Sequence, residues 1–242
     1  VVSPGEIYTA AAAGFPMENS FFHGNNKTDG DIAFAIDNKV GYFVVDNLDE
    51  LEALNRIAGE KGVNQKILLR VTPGIDPHTH KKISTGSVES KFGIAIETGQ
   101  AFSAAKAVLN LKNVTLCGFH CHIGSQIFES EPFATALEIM LDFIKSVKEK
   151  LGFNTDMLNL GGGFGVRYTE SDPKISYTEK IREVANSLNK QCAALGLNTP
   201  KILTEPGRSL VADAGITLYT VGSVKEIAGY KNYVSVDGGM TD

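Results

Sequence analysis

A chain of 242 residues is long enough for one large domain, and an α/β barrel takes roughly 250. Apolar residues at 43% beside 21% charged are ordinary for a globular fold with a full core, and the net charge of −5 disfavours nucleic acid or an anionic membrane surface as main partner. No apolar run approaches the ~18 residues of a membrane span, and the first residues lack the basic and apolar regions of a signal peptide.

Short apolar runs alternate with helical patterns along the chain. Strand-like runs fall at 1–2, 21–23, 42–46, 66–71, 115–123, 157–160 and 201–205, with helix-like stretches near 5–13, 29–37, 48–61, 98–109, 131–150 and 177–195. Such alternation predicts successive βα units and a parallel sheet. A closed barrel has eight strands, so these seven runs predict an α/β fold, a (β/α)8 TIM-type barrel over residues 1–211 whose first strand is missing. The runs then take barrel positions two to eight. Beyond them, 216–221 and 233–236 alternate with period two and have no helix between them, which predicts the opening of a C-terminal antiparallel β domain over 212–242. The start at Val1 without a methionine and the stop at Asp242 read as cut ends. Cys117, Cys121 and Cys192 have no framework spacing and read as reduced thiols of a cytoplasmic protein, the first two as core.

Polar residues gather at the C-terminal ends of the strand-like runs, where barrel enzymes hold their sites. There stand His23-Gly24-Asn25-Asn26-Lys27, Asp46-Asn47, Arg70 and the run His120 to Gln126. With period two, Leu116, Gly118, His120 and His122 share one face, and Cys117, Phe119, Cys121 and Ile123 the other. The second face is apolar and suits the outer helices, so both histidines point into the barrel mouth, as site residues or as a satisfied core pair. Gly161-Gly162-Gly163 and Glu205-Pro206-Gly207-Arg208-Ser209 follow positions seven and eight, where phosphate sites recur in this fold. Successive glycine N–H groups let an anion approach closely, and Arg208 and Ser125 add a charge and a hydroxyl. An acid beside a phosphate needs its own cationic partner. For Glu205 that is a pyridinium on the same ligand, or else a structural ion pair with Arg70 or Arg208. His120-x-His122 also has the look of paired zinc ligands, but no third histidine is placed with it and no metal is expected. The polar segment 72–96, with Asp76, His78, His80 and Lys91, reads as a binding loop or a solvated one.

Five motifs stand in order along the chain: His23-Gly24-Asn25-Asn26-Lys27, His120-x-His122-Ile123-Gly124-Ser125-Gln126, Asn159-Leu160-Gly161-Gly162-Gly163-Phe164-Gly165, Glu205-Pro206-Gly207-Arg208-Ser209 and Val236-Asp237-Gly238-Gly239-Met240-Thr241-Asp242. Jointly they resemble the alanine-racemase-like, pyridoxal-phosphate (PLP) dependent decarboxylases. The first and last forms resemble the family's diaminopimelate branch rather than its ornithine branch. The resemblance implies that His122 stacks on the PLP ring and that Glu205 pairs with the ring nitrogen, these two being the catalytic residues. It also implies a phosphate cradle of Ser125, Gly162, Gly163 and the backbone of Gly207 and Arg208. The Arg208 side chain would hold a substrate carboxylate, with Arg70 and His120 as neighbours of the cofactor. The implied reaction is decarboxylation of meso-diaminopimelate to L-lysine by a cytoplasmic homodimer. A PLP-binding module without that activity, and a decarboxylase of arginine or a polyamine precursor, are the alternatives. By the same resemblance the cofactor-linking lysine lies just before Val1 and much of the substrate pocket after Asp242, so the chain alone is expected to be inactive.

Overall fold

Helix α1 (Pro4–Ala12) begins where the sequence places a start signal: the Ser3 hydroxyl accepts from Glu6 N, and Pro4 has no N–H to leave unpaired. The computed structural model describes residues 1–75 and 89–239. Strand β1 (Phe21–Phe22), α2 (Asp29–Asp37), β2 (Tyr42–Val45), α3 (Leu48–Glu60) and β3 (Gln65–Thr72) follow. A capping box between Thr28 and Asp31 opens α2, and Asn47 accepts from Glu50 N to open α3. Next come β4 (Ile94–Ala95), α4 (Gln100–Val108), β5 (Val114–His120), α5 (Glu131–Leu151), β6 (Met157–Asn159), α6 (Tyr177–Leu195), β7 (Lys201–Leu203) and α7 (Gly207–Val211). Left-handed Gly152 and Gly196 end α5 and α6. A hairpin of β8 (Val221–Ile227) and β9 (Lys231–Val236) closes the described chain.

The main sheet runs β1-β2-β3-β5-β6-β7, parallel throughout, with β4 paired to β3 off that path. This is the βα pattern of an α/β barrel left open between β1 and β7, followed by an antiparallel start of β structure. Val1 extends the ladder beyond β1: its N donates to Phe21 O, and its O accepts from His23 N, each at 2.9 Å. The expected run 1–2 therefore survives as pairing at Val1, too short to count as a strand.

Alternation divides the strands between two cores. Phe43, Val45, Ile67, Leu69 and Phe119 pack outward with Leu54, Ala104, Met140 and Leu141 of the helices, while Val44, Leu68 and Cys117 meet inside. On β5 the sequence parity fails below Gly118. Ile67 pairs with Leu116 but Leu68 with Gly118, so Cys117 is an extra residue. That bulge turns Leu116 outward and Cys117 inward, the reverse of the alternation read from sequence. Parity is restored from Phe119 onward, so His120 still points inward.

Two other expectations are corrected. The segment 72–96 contains β4, while Asp76, His78 and His80 lie outside the described residues, as does Met240-Thr241-Asp242 of the last motif. Of the run 216–221 only Val221 is strand, because pairing begins there and, after a register shift at Gly222, continues from Ser223 through Val224, Lys225 and Glu226 to Ile227. Both hairpin strands are almost wholly exposed, so neither face demands apolar alternation and the pattern misplaces the strand. Helix α7 was not foreseen.

Candidate active site

A cavity of about 660 Å³ opens at the C-terminal ends of the strands, lined by His23, Arg70, His120, His122, Gly162 and Glu205 among others. β1 delivers His23, β3 delivers Arg70, β5 delivers His120 and leads to His122, and the turns after β6 and β7 deliver Gly162 and Glu205. The sequence reading placed all six at strand ends and gave all but His23 a place at the cofactor, and the structure brings them together.

Glu205 is the centre of the arrangement. Its Oε1 accepts from His23 Nε2 at 2.7 Å and from Asn159 Nδ2 at 2.9 Å, and its Oε2 lies 3.4 Å from His120 Nε2. Its backbone is tied too, Glu205 N donating to Gly161 O at 2.8 Å. Burial alone would raise its pKa, but the hydrogen bonds from His120 and His23 outweigh burial and hold the carboxyl well below the usual range. Burial pushes His120 down to about 3 against the opposing pull of Glu205, and pushes His122 down to about 4. At neutral pH the cavity therefore presents a carboxylate beside two neutral imidazoles. The ion pair of Glu205 with Arg70 or Arg208, one of the two readings from sequence, is not among the described contacts.

Arg70 has its own partners. Its NH1 is 3.6 Å from Asp46 Oδ1, and its guanidinium lies over the Phe92 ring at 4.5 Å. Asp46 Oδ2 accepts from Gly93 N at 3.1 Å, which ties the strand returning to β4 against the site. Lys27 is committed elsewhere: buried, it reaches Glu50 Oε1 at 2.6 Å, Gly24 O at 2.8 Å and Val44 O at 2.9 Å.

Ser125, Gly163, Gly207 and Arg208 form a second group outside the cavity lining. Arg208 Nε donates to Ser125 Oγ at 3.1 Å and its NH1 to Tyr168 OH at 2.8 Å. The loops after β5 and β6 are laced by Ile127 N to Gly163 O, by Gly165 N to Ile127 O, and by a reciprocal pair between Gln126 and Val166. The glycines are needed here even without a ligand. A side chain at Gly162 would strike the Glu205 carbonyl, and one at Gly163, with φ +102, the Gly124 carbonyl. Gly207 differs, since a Cβ there would meet nothing within 4 Å. The signal read as a bare phosphate cradle is thus partly the close approach of three rim loops.

Sequence reasoning missed what His23, Asn159, Asp46 and Tyr168 do. The first two carried a usable signal, both being polar residues at strand ends within quoted motifs; their convergence on one acid is a through-space fact. His23, His120 and Glu205 also bring donor atoms within 4.8 Å of one another, a spacing a cation could use. Arg70 on the same cavity, and a buried His120 Nδ1 with no hydrogen-bond partner among the described residues to orient the ring, count against that use. His122 is not in that trio, so the His120-x-His122 pair is not what the geometry offers.

Residues 1–212 match the family model of the pyridoxal-dependent decarboxylase, pyridoxal binding domain. The chain belongs to this family. It is 48% identical over its whole length to the diaminopimelate decarboxylase of Bacillus methanolicus and 46% to that of Bacillus subtilis (strain 168), covering 56% and 55% of them. It also matches the crystal structure of diaminopimelate decarboxylase from M. jannaschii in co-complex with L-lysine, with a TM-score of 0.85 at 36% identity, over 100% of this chain and 55% of that one. The chain spans about half the length of the curated relatives it matches.

The cavity suits the cofactor of this pyridoxal-binding domain. An ionised carboxylate fits a protonated pyridine nitrogen, neutral imidazoles fit the face of an aromatic ring, and beside the cavity a hydroxyl with a guanidinium fits a phosphate. The volume lies in the range of ordinary small-molecule sites.

Proposed function

We propose that this chain is the cofactor-binding part of a diaminopimelate decarboxylase, and that the protein carrying it converts meso-diaminopimelate to L-lysine with loss of CO2. The observation that carries the reading is the ionised Glu205, lining the cavity and held by His23, Asn159 and His120. The relatives at 46–48% identity bear that name, and the matched structure holds L-lysine, which support it.

Bound PLP supplies an electron sink for the pair left behind when the carboxylate departs. The protein's part is to keep that sink strong and in place. Glu205 would hold the proton on the ring nitrogen, and His122 would stack on the ring while its own neutrality avoids competition for the carboxylate. Ser125, Gly162, Gly163 and the backbone of Gly207 and Arg208 would hold the phosphate. Arg70, clamped by Asp46 and Phe92, keeps a positive charge near Glu205. Arg208 already spans Ser125 and Tyr168, and its planar fork suits a substrate carboxylate as well.

The division into a barrel over 1–211 and a β domain from 212 belongs to the same proposal; the end of the family match at residue 212 and the β8–β9 hairpin support it. A cytoplasmic homodimer as the working form and catalysis without a metal belong to the same proposal. Among the described residues no helix is long and apolar enough to cross a membrane. The experiment is an assay of the full-length protein on meso-diaminopimelate with lysine as readout. Lysine formation is expected; PLP uptake without lysine would favour a binding module, and release of CO2 from arginine instead would favour the related decarboxylases.

A further inference from the structure

Glu205 is not held symmetrically. Its Oε1 takes two short hydrogen bonds, from His23 Nε2 at 2.7 Å and Asn159 Nδ2 at 2.9 Å, while among the described residues Oε2 has only His120 Nε2 at 3.4 Å, the outer limit of a hydrogen bond. Both donors to Oε1 are themselves fixed. Asn159 uses its Oδ1 to accept from Gly161 N at 2.8 Å, which sets the orientation of its amide. The His23 backbone is paired to Val1 O, and its ring lies edge-on to His120 with centroids 5.0 Å apart. A carboxylate gripped through one oxygen and 35% exposed has its other oxygen available to a ligand in the cavity.

We infer that His23 is a positioning residue: with Asn159 it occupies Oε1 of Glu205 and so reserves Oε2 for the ring nitrogen of the cofactor. This rests on the PLP reading above. It adds a specific division of labour, in which the histidine of the His-Gly-Asn-Asn-Lys motif never touches the cofactor nitrogen but aims the acid that does. Other charged or titratable groups around Glu205 are His120 on β5, Cys121 and His122 just after it, and Arg70 on β3. Neither His120 nor Arg70 reaches Oε1 among the described contacts. Without His23, Oε1 keeps Asn159 alone of its two donors and Oε2 only the long contact to His120, so the carboxylate can swing and its contact with the ring nitrogen weakens.

The test follows the ring nitrogen by NMR in full-length protein loaded with isotope-labelled PLP, titrated with pH. His23→Ala is expected to lower the ring-nitrogen pKa by about one unit, a tenfold loss of preference for the protonated ring. His23→Gln, whose side-chain amide can donate to the same oxygen, is expected to restore at least half of that shift, which a role in packing alone would not produce. The cavity-side ring of His23 makes both variants compatible with folding, and His23→Gln alone carries the comparison if His23→Ala does not fold. An unshifted titration in His23→Ala, or a shift that His23→Gln leaves unrelieved, overturns the positioning role while leaving the PLP reading intact. Failure of the wild type to take up PLP overturns both.

Discussion

Glu50 and Glu205 are two acids set beside nitrogen donors at the same end of one sheet, and they serve opposite ends. Glu50 is sealed, its side chain 2% exposed like that of Lys27, with Oε1 on Lys27 Nζ at 2.6 Å and Oε2 on Asp46 N at 2.9 Å. Burial pushes its pKa up and that of Lys27 down, each opposed by the other's charge. Glu205 is 35% exposed, its pKa is lowered, and one oxygen stays lightly held. An acid with both oxygens spent on protein is structure; an acid with one oxygen to spare at a cavity is a site.

Breaking the sealed pair should have the largest effect on stability. Lys27→Met leaves Glu50 buried without its partner, at a cost of about 3–5 kcal/mol in unfolding free energy by denaturant titration. Replacing Glu50 by Leu in the same protein should recover much of it. A loss below 1 kcal/mol for Lys27→Met would place Glu50 with the site residues after all.

Gly162→Ala sharpens the comparison from the other side. The new Cβ strikes the Glu205 carbonyl, so the turn after β6 and the one after β7 must separate. The expected loss is about 1–3 kcal/mol of stability, together with weaker PLP binding. An unchanged melting temperature would show that the loops do not approach as described.

Acid titration comes next. The folded pKa values of His120 and His122, about 3 and about 4, lie below the ~6.5 of an unfolded imidazole. Between those limits the unfolded chain binds protons that the folded chain refuses, so stability rises with pH there and is lost as pH falls below about 6.5. Glu205, lowered in the fold, adds its own loss only below the ordinary carboxylate range near ~4.3. Denaturant midpoints should therefore drop already between pH 6.5 and about 5, and His122→Phe should shallow that slope. A flat midpoint across that range contradicts the burial of the two rings.

The smallest effect belongs to the hairpin. Val224→Ala on exposed β8 should change stability by no more than about 0.5 kcal/mol in a thermal melt.

Most of the barrel was legible because its signals are local. Apolar runs marked β1, β2, β3, β5, β6 and β7, and Ser3, Thr28 and Asn47 opened helices within a few residues of where periodicity placed them. The bulge at Cys117 was not legible, since it depends on how β5 registers against β3 rather than on β5 itself. Nor was the hairpin's true start at Val221, where exposure removes the alternation that would have marked it. Among the residues lining the cavity, Arg70, His120, His122 and Glu205 were legible from strand ends and family motifs. His23 and Asn159 gained their meaning only when β1 and β6 came to share one acid. Gly162 was read as a phosphate donor, and its need to be glycine turned out to be set first by the Glu205 carbonyl.

The central claim is that Glu205 is the open acid of a PLP site. Equilibrium binding of PLP to the full-length wild type and to its Glu205→Ala variant tests this most directly. A Kd raised at least tenfold in the variant, roughly 1.4 kcal/mol, is predicted; equal affinities would contradict it.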